Sequence, residues 1–183
     1  MSETTSKSEM AEAVANVARR INATVEEGKN SLDLSNCKLI SFPDGVFKVL
    51  RSVTENIQVI SLADNEMKAV SNKFFTTFTQ LRELDLHGNV LTKLPEKVGE
   101  MSHLTSINLA NNSLSSFPDK LTEIATLERI NLEGNSITEL PVEKLSNMPA
   151  LKWLNVKSNP LDSNTQAALQ SPHTYDVLMT TES

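Results

Sequence analysis

The sequence predicts an α/β solenoid: a short parallel β-sheet on the concave face, helical and irregular segments on the convex face, and a capping helix at the N-terminus. Three observations point there. The phrase LxxLxLxxNxLxxLP recurs in copies that begin at Lys29, Ile57, Leu81, Leu104, Leu127 and Leu151, spaced by 28, 24, 23, 23 and 24 residues. Within each copy, apolar and polar residues alternate before the asparagine, the period of two that a strand imposes. Ahead of the first copy, apolar residues recur at helical spacing instead. A unit this short buries its apolar ridge only when the next copy stacks on it, so the copies form one coiled body.

Taken in order, residues 1–8 are polar and are expected to be a disordered tail. Residues 9–28 form the capping helix: EMAEAVANVARRINATVEE sets Val14, Val17, Ala18, Ile21 and Val25 on one face, and Gly28 stops it. Residues 29–164 hold the six repeats. Pro43, Pro95, Pro118 and Pro141 end the strand side and start the convex return, which turns Val46, Val98, Leu121 and Leu145 inward. The second copy has Ser71 in place of proline, and Phe74, Phe75 and Phe78 fill its interior. Residues 165–179 cap the far end, where YDVLM from Tyr175 can add a last edge strand, and residues 180–183 are expected to be a disordered tail.

The interior pairs are Leu32 and Leu34, Ile60 and Leu62, Leu84 and Leu86, Ile107 and Leu109, Ile130 and Leu132, and Leu154 and Val156. Beside them runs a column of Asn65, Asn89, Asn112, Asn135 and Asn159. A buried amide is costly unless bonded, so these asparagines are expected to bond the backbone of their own and neighbouring coils where no sheet ladder reaches. Cys37 heads the column and reads as a buried thiol, since no basic neighbour in the sequence activates it.

The segments LRELDLHGNVLTKLP, LTSINLANNSLSSFP and LERINLEGNSITELP resemble the leucine-rich repeat, in particular its LPxxI type found in intracellular proteins. That resemblance implies a leucine-rich-repeat solenoid shaped like a horseshoe and a role in protein binding. By family analogy it also allows signalling partners such as small GTPases or phosphatases.

Composition narrows the function classes. The chain has 183 residues, a formal net charge of −6 and one cysteine. The acidic balance disfavours direct contact with nucleic acid, whose affinity for proteins comes mainly from Lys and Arg. No run approaches the roughly 18 apolar residues that a spanning helix needs, and the alanine- and valine-rich face of the N-terminal helix is weak for a membrane surface. A polar N-terminus and a lone cysteine favour the cytoplasm, with the nucleus as a further option, so the glycosylation motifs at Asn22 and Asn111 read as chance matches.

The residues between the leucines form the concave face. Its charged and aromatic side chains lie in coils three to six, and the expected partner-binding set is Arg82, Glu83, Asp85, His87, Asn108, Arg129, Asn131, Glu133, Trp153, Asn155 and Lys157. Trp153 is either an exposed anchor or covered by residues 162–179. His87, between Ala63 and Ala110, is expected to be accessible and able to respond to pH. A catalytic Ser61 or Ser106 with His87 and Asp85 is weighed and set aside: His87 and Asp85 stand roughly 7 Å apart along a strand, and no oxyanion donors accompany them. His87, His103 and His173 fall on different sides, which leaves no metal cluster, and no phosphate-binding loop or dinucleotide fingerprint occurs. The expected function is a non-enzymatic protein-interaction module, a small monomeric adaptor or regulatory subunit with no cofactor and an unidentified protein partner. The alternative is a component of a ribonucleoprotein assembly.

Overall fold

The computed structural model describes residues 2–180, with side chains from Ala11 onward. Seven three-residue strands form one parallel sheet in sequence order: β1 (Ser31–Asp33), β2 (Val59–Ser61), β3 (Glu83–Asp85), β4 (Ser106–Asn108), β5 (Arg129–Asn131), β6 (Trp153–Asn155) and β7 (Asp176–Leu178). Leu32, Ile60, Leu84, Ile107, Ile130, Leu154 and Val177 lie in register across it. Six of these seven are buried, Val177 in the last strand being partly so, and Leu34, Leu62, Leu86, Leu109, Leu132 and Val156 form a second buried row. The seventh strand comes from YDVLM, so the C-terminal cap extends the sheet.

The return segments follow the prolines. Pro43 precedes helix α2 (Asp44–Val49), Pro95 and Pro118 precede 3-10 segments at Glu96–Glu100 and Asp119–Glu123, and Pro141 precedes α4 (Val142–Ser146). Each turns apolar side chains inward: Val46 with Phe47, Val98, Leu121 and Leu145 respectively. In the copy without proline, Ser71 leads into α3 (Asn72–Thr77), and Phe74, Phe75 and Phe78 are buried there. Phe42, Phe74 and Phe78 meet at centroid separations of 5.1 to 5.8 Å with steep tilts, a favourable edge-on arrangement. The asparagine-column amides bridge coils. Asn112 Nδ2 donates to Leu109 O at 3.1 Å and Leu86 O at 3.0 Å, and its Oδ1 accepts from Leu91 N–H at 3.0 Å. Just before each column residue the backbone turns left-handed, at Asn36, Asp64, Gly88, Asn111, Gly134 and Ser158.

Helix α1 spans Ser2–Glu26 and so takes in residues 2–8, expected as a disordered tail; no glycine or proline interrupts that stretch. Met1 and residues 181–183 lie outside the described residues. The buried stripe of α1 is also rotated from the expected one. Val17, Ile21 and Thr24 are buried, whereas Val14 and Ala18 face solvent. Thr24 tolerates burial because its hydroxyl donates to Ser31 O at 3.1 Å, which draws the helix round toward that edge. Arg20 Nη1 then bonds Ser35 O at 2.6 Å, bolting the helix to the end of the first coil. Cys37 is buried between them and donates to Ser35 O at 3.3 Å; burial pushes its thiol above the ordinary value.

At the other end, Asp162 caps α5 (Ser163–Leu169) by accepting from Thr165 N–H at 2.7 Å. Tyr175 is buried, and burial pushes its hydroxyl up despite the opposing Ser146 hydroxyl, which stands outside hydrogen-bond geometry.

Candidate functional site

Outward residues of the strands build three columns on the concave face. The central one runs Asp33, Ser61, Asp85, Asn108, Asn131, Asn155 and Leu178. Its polar members have a structural task that the sequence reading missed. In each coil the side-chain oxygen accepts the backbone N–H two residues on: Asp85 from His87 at 3.0 Å, Asn108 from Ala110 at 3.0 Å, Asn131 from Glu133 at 3.1 Å and Asn155 from Lys157 at 3.1 Å. That N–H points away from the next strand and has no ladder partner, so a short side chain closes an Asx turn over it. The findable signal was the type shared down the column, Asp, Ser or Asn throughout, which are the residues that make this turn.

Asn155 corrects the expected binding set most directly. It is 5% exposed, and its amide donates to Glu133 Oε2 at 3.2 Å, so it supports the face from beneath. The other ten residues of the set line the face. Arg82, Glu83, Arg129 and Lys157 are exposed, and Asp85, His87, Asn108, Asn131, Glu133 and Trp153 are half-buried.

The pair Asp85 and His87, expected about 7 Å apart, is in contact, with His87 Nδ1 2.7 Å from Asp85 Oδ1. The strand ends at Asp85, and the Asx turn folds His87 back over it. The other ring nitrogen, Nε2, faces Asp64 Oδ2 at 3.5 Å. Asp64 reaches it because Gly88 has no side chain; a Cβ there would meet the Asp64 carboxylate. No hydroxyl takes part in this grouping. Ser61 Oγ accepts Ala63 N–H at 3.4 Å, and both His87 ring nitrogens face carboxylates, so neither Ser61 nor Ser106 is assembled into a serine–histidine–aspartate relay among the described residues. Among the described residues no set of three His, Cys, Asp or Glu side chains is placed to hold a metal.

Coils five and six carry two further side-chain contacts on this face. The Arg129 guanidinium lies 4.2 Å from the centroid of the Trp153 ring. Lys152 Nζ meets Glu128 Oε1 at 2.7 Å. The C-terminal cap does not fold over Trp153: β7 continues the sheet beside it, with Asp176 in register, and the ring stays half-exposed.

Fold and face together define a repeat solenoid with an open, polar sheet face whose side chains are set at regular spacing. The chain belongs to the leucine-rich repeat family, whose model matches it at residues 30–91, 55–114, 79–137 and 102–161. Over 173 residues it is 58% identical to leucine-rich repeat-containing protein 20 of Mus musculus and 56% identical to the Homo sapiens protein of that name, covering 94% of each chain in both comparisons. Among solved structures it resembles an LRR protein of Leptospira interrogans, with TM-score 0.68, 25% identity, 80% of this chain and 36% of that one. It also resembles the leucine-rich repeat domain of the type III effector XopL, with TM-score 0.74, 20% identity, 92% of this chain and 57% of that one. Proteins of this family generally mediate protein–protein interaction.

Proposed function

We propose that the chain is a non-catalytic interaction module, a small adaptor or regulatory subunit, that engages a partner protein through the concave face of coils three to six. The observation that carries this reading is the half-exposed Trp153 with Arg129 stacked on it, since exposed Trp and Arg dominate interface hot spots. A relay-type enzyme is disfavoured because both nitrogens of His87 face carboxylates and neither faces a nucleophile. A ribonucleoprotein role gains nothing from the face, where Arg82, Lys152 and Lys157 are interleaved with Glu83, Glu128 and Glu133 instead of forming a basic stripe.

The test is proximity labelling in cells, comparing wild type with a double charge reversal, Arg129→Glu with Glu133→Lys. The reading expects a set of labelled proteins that the variant loses while its thermal midpoint stays unchanged. Identical sets would contradict it. Binding to homopolymer RNA that falls steeply with salt would instead favour the ribonucleoprotein alternative.

A further inference from the structure

Charge on the concave face is mixed but unevenly spread along the solenoid. At the third coil carboxylates outnumber cations, with Glu83, Asp85 and Asp64 of the preceding turn set against Arg82. The fourth coil presents Thr105, Ser106 and Asn108, with no charge, beside a buried Ala110. Arg129 then opens a mixed end, where Arg129, Lys152 and Lys157 stand among Glu128 and Glu133. Some of these side chains already have partners. Lys152 is ion-paired with Glu128 at 2.7 Å, and Asp85 and Asp64 both face the His87 ring. Others do not. Arg82, Glu83, Arg129, Glu133 and Lys157 form no ion pair with any described residue, and all of these but Glu133 are exposed.

Of these, Glu83 and Arg129 share one column of the sheet. Glu83, Ser106 and Arg129 are in direct register on consecutive strands, so the unmatched carboxylate and guanidinium stand two strand spacings apart, about 10 Å. The small Ser106 lies between them. The Arg129 guanidinium packs over the Trp153 ring and makes no ion pair among the described residues, and a guanidinium's paired N–H donors suit a carboxylate. Because the stack has already ordered the side chain, little further entropy is lost on pairing.

Resting on the concave face as the interaction surface, we infer that the bound partner segment is bipolar: it sets a carboxylate on Arg129 and a basic side chain on Glu83, about 10 Å apart, across the uncharged fourth coil. A uniformly acidic segment would meet Glu83 at one end and Asp176, in register beyond Trp153, at the other. A uniformly basic one would meet Arg129. Like-charge juxtaposition of this kind excludes wrong partners more effectively than attraction selects right ones.

The experiment uses the full chain as bait for a random peptide display library. Enriched peptides are then measured by the emission of Trp153, the only tryptophan. The inference expects peptides carrying one acidic and one basic position. Arg129→Glu should weaken an enriched peptide by about ten-fold, and changing that peptide's acidic residue to lysine should restore binding. Glu83→Lys should do the same for the basic position. Restoration separates a charge contact from damage to the fold. If enriched peptides bind both variants as they bind wild type while still shifting Trp153 emission, the bipolar assignment is overturned and the interaction face stands. If no peptide enriches, or none shifts the emission, both are overturned.

Discussion

The carboxamide of Asn112 serves two coils at once, donating to Leu86 and Leu109 carbonyls and accepting from Leu91 N–H. Replacing Asn112 with alanine strands those backbone groups and should cost about 1–3 kcal/mol, read as a lower urea midpoint; an unchanged midpoint would refute the bridging role. Gly134 makes a separate residue-level case. Its backbone is left-handed, at φ +73°, and a Cβ there would meet the Asn111 side chain, so Gly134→Ala should destabilise by roughly 1–2 kcal/mol in the same measurement. The asparagine column was legible because one residue type recurs at a fixed place in five copies. The Asx-turn column was harder to read, since Asp, Ser and Asn alternate in it and only their side-chain oxygen is shared.

Helix α1 is an added element, joined to the repeats at one edge, and its attachment rests on Val17, Ile21, Thr24 and Arg20. Arg20 also stands 3.6 Å from the Asp33 carboxylate. Partial burial alone would raise that carboxyl, but bonds from Ser35 and the charge of Arg20 outweigh it and hold it below the ordinary value. A lowered folded value stabilises the cap above the unfolded carboxylate pKa, and that contribution is lost as pH falls through the folded one. Arg20→Ala should therefore lower hydrogen-exchange protection in α1 at neutral pH while leaving the strands β3 to β6 protected; equal protection in α1 would show that the bolt is idle. The existence of this helix was readable from its spacing. Its start and rotation were not, because Ser and Thr near the N-terminus give no periodic signal and the burial of Thr24 depends on a carbonyl in the next element. The proline-led returns were readable throughout, since proline fixes its own φ and cannot continue a strand ladder.

At the scale of the whole molecule, stacking converts six loosely similar segments and a cap into one seven-stranded sheet with side chains at fixed spacing. The fold was legible because every copy repeats the same constraint. The face was only partly so: the register placed its columns, yet which side chains engage one another depends on their reach, as when Asp64 crosses Gly88 to His87 or Arg129 lies down on Trp153. The central claim is that partners meet the sheet side, not the return side. It is tested most directly by a photo-crosslinking residue placed at Ser106, in the middle of the concave face, or at Glu100, on the return segment of the previous coil. The account predicts a discrete protein adduct in cells from position 106 and none from position 100. An adduct from position 100 with none from position 106 would contradict it.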